Sequence, residues 1–114
     1  MIEYNGVIEM LKTKLPEFII EEEISDSPTI VISFLTIFIK EKYKEKDDLR
    51  INKCANIVND LAENDDSMIT ALLDEIAIGL FDESREIYTD FKTRLSDKAR
   101  IKLERTIEYW SRQF

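Results

Sequence analysis

Apolar positions recur at three- and four-residue steps along most of this chain, the period of helices that bury one face. The first run, Ile2 to Leu15, puts Ile8, Leu11 and Leu15 on one side, with Gly6 as a weak point. Pro16 follows, and proline is tolerated at a first helical position because no amide hydrogen is needed there. A short second helix is therefore expected, with Phe18, Ile19 and Ile20 as its apolar part and Glu21, Glu22 and Glu23 at its wet end. Ser27-Pro28 repeats the start signal, a capping side chain followed by proline. The stretch beyond it is β-branched and aromatic, so a buried strand competes with a helix. Ile30, Val31, Phe34, Leu35, Phe38 and Ile39 fall at helical spacing, and there is no second strand to pair with, which selects helix. Apolar residues almost all round predict that this helix is the central, buried one.

The charged segment Lys40 to Asp48 is expected to hold the helix end and a turn, with Asp47 capping the next helix. That helix turns Ile51, Cys54, Ile57, Val58 and Leu61 inward. Asn64-Asp65-Asp66-Ser67 reads as a turn plus cap before a helix presenting Met68, Ile69, Leu72, Leu73, Ile76, Ala77, Leu80 and Phe81. Asp82-Glu83-Ser84 breaks the chain, a sixth helix carries Ile87, Tyr88, Phe91 and Leu95, and Ser96 caps a last one with Ala99, Leu103, Ile107 and Trp110. The expected fold is all-α, with six to seven helices over residues 1–114 in one domain, as a bundle or a short stack of antiparallel hairpins. Two Gly and two Pro in 114 residues agree with helices and leave little for sheets or long loops.

The chain has no His, which removes the commonest general base and the commonest metal ligand together. Its one Cys lies on an apolar helix face and reads as a core residue; alone, it forms no internal disulfide, which suits a reducing compartment. Gly6 and Gly79 stand apart from any phosphate-binding pattern. An EF-hand loop beginning at Asp60 fails, because Ala62 takes a ligand position and Asp65 the place of the required Gly. No cofactor and no metal are expected, nor an enzyme. The apolar run Ile30–Ile39 is about half a membrane span, and Glu21 to Glu23 precede it where a signal peptide would be basic. A cytoplasmic protein is the expectation.

The formal charge of −8 is unevenly spread. Residues 54–91 hold ten acids against Arg85 alone, whereas residues 92–114 hold seven bases against three acids. Lys98, Lys102 and Arg105 share a helix face, yet an acidic chain repels phosphate, so direct nucleic-acid binding is not expected. Such a stripe reads as a solvated face pairing with the protein's own acids. The acidic stretch suggests instead a surface for a basic protein, formed by Asp60, Glu63, Asp74, Glu75, Asp82, Glu83, Glu86 and Asp90 on successive helices. Ile78, Phe81 and Tyr88 are the apolar anchors available there, although Phe81 and Tyr88, each taken alone, read first as core.

The run Leu72-Leu73-Asp74-Glu75-Ile76-Ala77-Ile78-Gly79-Leu80-Phe81 is followed by a short acidic break, and Leu103-Glu104-Arg105-Thr106-Ile107-Glu108-Tyr109-Trp110 stands near the end. Over roughly the C-terminal two thirds, this pattern resembles small acidic all-helical bacterial immunity proteins of contact-dependent growth inhibition and related toxin systems. The resemblance implies a cytoplasmic antidote that binds and neutralises a toxin domain, often a basic nuclease, and it carries over no individual site residue. The alternative is a structural or adaptor domain, a homodimer included, whose charge serves solubility and whose contact surface involves Trp110 and Phe114.

Overall fold

The computed structural model describes residues 2–113, and among them every regular element is helical. Six α-helices follow one another: α1 (Val7–Lys14), α2 (Pro28–Glu45), α3 (Asp48–Ala62), α4 (Ser67–Glu83), α5 (Arg85–Thr93) and α6 (Asp97–Ser111). Short 3-10 turns lie at Tyr4–Gly6 and Glu22–Ile24. The all-α reading holds, as do most of the start signals. Asp47 accepts the amide of Arg50, Asp66 those of Met68 and Ile69, Ser84 that of Ile87, and Ser96 that of Ala99. Ser27 occupies the cap position of α2 with Pro28 next, although its hydroxyl does not bond the first turn.

Several expectations need correction. The first helix begins at Val7, because Tyr4–Gly6 forms a tighter 3-10 turn and Gly6 becomes the cap. Pro16 opens a turn and not a helix. Residues 16–21 run irregularly, with Phe18 buried and Ile19 pointing into solvent. Glu17 explains this path: its carboxylate accepts Arg50 Nε at 3.2 Å and Lys53 Nζ at 3.1 Å, tying the segment to α3. The charged segment Lys40 to Asp48 does hold the helix end and a turn: α2 stops at Glu45, and Lys46 follows in the left-handed conformation (φ 57°). The amide of Lys46 then bonds the carbonyl of Tyr43, and that of Asp47 the carbonyl of Lys42, so the final carbonyls are satisfied without a glycine.

The hub is α4, not α2. It packs against α2, α3, α5 and α6, and its Ile69, Leu72, Leu73, Ile76, Ala77 and Leu80 are buried. Met68, expected inward, lies exposed in the first turn of α4. The α2–α4 contact is tight: a Cβ placed on Gly79 would sit 2.8 Å from Thr36 Cγ2. Thr36 cannot easily yield, since it is buried, β-branched, and donates its hydroxyl to the Ile32 carbonyl at 3.1 Å. Gly79 is therefore a packing glycine. The face of α2 turned to the core carries Val31, Ile32, Leu35, Thr36 and Ile39. Ile51, Cys54, Ile57, Val58 and Leu61 of α3, and Ala99, Leu103 and Ile107 of α6, enter the same core as the spacing predicts.

Alanine at 79 gains helix propensity of about 1 kcal/mol but meets Thr36. Overpacking costs of this kind run to about 1–3 kcal/mol. We expect Gly79→Ala to lower stability by about 1 kcal/mol, and the same change in a Thr36→Ser background to be neutral or stabilising. Urea denaturation of the four proteins of that cycle measures both.

Candidate functional site

Five of the ten acids of the 54–91 stretch are met by the chain's own bases. Asp60 pairs with Lys14 of α1, Glu63 with Lys98 at 3.7 Å, Asp65 with Lys102 at 2.9 Å, and Glu83 with Lys40 at 3.2 Å. The basic C-terminal stripe is accordingly spent on internal pairing at Lys98 and Lys102, the latter also donating to the carbonyls of Ala62 and Asn64. Asp90 accepts the Tyr43 hydroxyl at 2.6 Å and Arg94 Nε at 2.9 Å, while Arg94 also reaches Asp48 and Asn52. This network clamps α5 onto α2 and α3.

The nine residues expected to form one face are thus distributed. Asp60 and Glu63 close the end of α3 against α1 and α6. Asp74 accepts the Thr106 hydroxyl at 2.5 Å and, with Ile78, lines a groove of about 520 Å³ between α4 and α6 that is walled by Trp110 and Tyr109. Glu86 and Asp90 border a second groove of about 550 Å³ beside Tyr43 and Lys46. Glu75 accepts the Ser33 hydroxyl of α2 at 3.0 Å, and Glu83 reaches the same helix through Lys40. Asp82 and Glu86 are exposed, with no ion pair among the described residues. Of the suggested anchors, Tyr88 is core and Phe81 is enclosed by Tyr88, Trp110 and Arg85. Phe114, suggested for the alternative contact surface, lies outside the described residues.

The carboxylates that the fold leaves without a cation lie mainly elsewhere. Glu21, Glu22 and Glu23 are exposed on the segment before α2, and Glu41 is exposed on α2 itself, none of them ion-paired among the described residues. Between them runs an apolar stripe. Ile30, Phe34 and Ile37 occupy consecutive helical steps on α2 and are 45%, 49% and 46% exposed. Ile19, 74% exposed, stands across a groove of about 280 Å³ whose walls are Phe18, Ile24 and Phe38, with Glu21 and Glu41 at its rim. Phe18 packs edge-on to Phe38 at 5.3 Å and so forms the floor.

Ile30 and Phe34 were expected inward. Helical periodicity placed them on an apolar face, but α3 and α4 cover only the Val31–Ile39 side, about half a turn away. The signal available in the sequence was Glu41, which continues the Ile30, Phe34, Ile37 spacing with a charge and marks that stripe as the outer one.

Other chemistry is limited. Cys54 is fully buried, and loss of solvation, followed by the field of Glu17, pushes its thiol up to about 12, so it is protonated at neutral pH. Among the described residues no group of three or more His, Cys, Asp or Glu side chains is arranged to hold a metal ion, and no helix is long and apolar enough to cross a membrane.

The Tyr43 hydroxyl, then Arg94, holds the Asp90 carboxyl below its ordinary value, and Lys102 does the same for Asp65. A depressed folded value means that this stabilisation is complete above the unfolded carboxylate pKa of about 3.9 and is lost as pH falls through the folded one. Asp90→Ala should cost on the order of 1 kcal/mol at pH 7 through its lost hydrogen bonds. Thermal melts should show that deficit shrinking as pH falls below about 3.9 and the native carboxyl in turn takes up its proton. The chain has no significant match to any protein-family model, curated protein sequence or solved structure.

Proposed function

We propose that this chain is a non-enzymatic protein-binding domain that captures and neutralises a basic partner, as the immunity proteins it resembles do with their toxins. One observation carries the reading. Among the described residues, exposed carboxylates without an ion pair stand before α2, on α2 itself and around the α4–α5 junction, among them Glu21, Glu22, Glu23, Glu41, Asp82 and Glu86. Uncompensated like charge costs folding free energy, and its return is a field that attracts and orients an oppositely charged partner. The residues at hand also favour binding over turnover, with no histidine and with the one thiol sealed in the core. In this reading the partner is a basic domain, nuclease-type toxins included, met in the cytoplasm.

The test asks whether a neighbouring reading frame encodes a basic polypeptide and, on co-production of the two, whether they co-elute on size exclusion and growth recovers. Neither a complex nor recovery means the reading is wrong. Within such a complex, the double change Asp82→Lys and Glu86→Lys should slow association about tenfold at low salt and flatten its salt dependence, with melting temperature nearly unchanged. Stopped-flow mixing over a salt series measures this, and unchanged rates would remove the acidic field from recognition.

A further inference from the structure

We infer that the outer face of α2, with the groove it forms against residues 18–24, is the docking surface for a basic amphipathic segment of the partner protein. The inference rests on the protein-binding reading above and adds where contact occurs and what the partner must present. Isolated exposed apolar side chains are ordinary, but contiguous ones rimmed by polar groups mark contact surfaces. Here Ile30, Phe34 and Ile37 form an unbroken line along α2, and Ile19 faces them across the groove. The line is long enough to receive about two turns of a helix laid alongside it.

The rim decides the occupant. Glu21 and Glu41 stand at the mouth of the groove, and Glu75 borders α2 at Ser33. Of the bases along α2, Lys40 is engaged by Glu83, and Lys42, which lies over Phe38, by Glu45, which leaves Lys44. A partner with large apolar side chains to fill the space beside Phe34, and Lys or Arg to meet Glu21 and Glu41, satisfies both parts of the surface. A second copy of this chain docked by a two-fold axis would oppose the same carboxylates to one another, and an anionic membrane would meet them as well. The geometry therefore favours a basic protein segment over either.

The experiment uses the whole chain and a labelled helical peptide with a Leu stripe flanked by Lys, beside its Glu-for-Lys counterpart. Fluorescence anisotropy should show saturable binding of the Lys peptide and at least about tenfold weaker binding of the Glu peptide. Amide shifts should concentrate at Ile19, Ile30, Phe34 and Ile37. Phe34→Ser and Ile37→Ser should each weaken binding at least fivefold without lowering the melting temperature, since neither side chain is core. Glu41→Lys should weaken the Lys peptide and strengthen the Glu peptide. Three results overturn the docking surface: shifts centred on the α4–α6 groove or on α5, binding indifferent to both Ser variants, or a concentration-dependent dimer abolished by Phe34→Ser. If the encoded basic partner binds while the Ser variants change nothing, only the location fails. If no basic partner binds at all, the functional reading falls with it.

Discussion

The contact between Gly79 of α4 and Thr36 of α2 is the constraint on which the arrangement turns. Because position 79 has no side chain, the two helices approach until Thr36 Cγ2 fills the space a Cβ would need. That approach sets the rotation of α2 about its own axis. Once Thr36 faces α4, Val31, Ile32, Leu35 and Ile39 are committed to the core, and Ile30, Phe34 and Ile37 must lie on the opposite side. α4 can act as hub because its apolar positions are spread widely enough to meet four helices, while α2 is covered on one side only.

The irregular segment after α1 is held by a different kind of force. Its own amide, then Lys53 and Arg50, keeps the Glu17 carboxyl ionised below its ordinary value. With Glu17 anchored to α3 and Phe18 packed on Phe38, residue 19 has no apolar surface left to meet. The exposed isoleucine there is the consequence of two good contacts beside it, and it supplies one wall of the α2 groove.

Charge in this protein decides the surface more than the stability. Exposed ion pairs contribute about 0–1 kcal/mol each, against a core built from seven buried positions of α3 and six of α4. What the pairs change is where negative potential remains. The acidic middle of the chain looks like one continuous face when read linearly, but Lys14, Lys40, Lys98 and Lys102 arrive from other helices, Arg94 meets Asp90 from one turn further along, and together they neutralise half of its acids. Asp74 and Glu75 are met by hydroxyl groups instead. The exposed carboxylates without an ion pair among the described residues include those at 21–23, 41, 82 and 86, and Glu21 and Glu41 flank the groove beside the outer stripe of α2.

The residues alone determined the helical class, three of the side-chain caps, the inward set of α3 and that of α6 except for the half-buried Trp110, because caps and the 3.6-residue period are local and one-sided amphipathic helices leave one way to face. The burial of Cys54 followed for the same reason. Tertiary structure decided what local rules leave degenerate. In α2, apolar on nearly every side, periodicity cannot choose which stripe is buried; only the approach of α4 at Gly79 chooses. After Pro16, helix and turn have similar local cost, and a carboxylate bonding to α3 selects the turn. The acidic face was dispersed because ion pairing depends on distances between helices far apart in the chain, which no spacing within one segment can express.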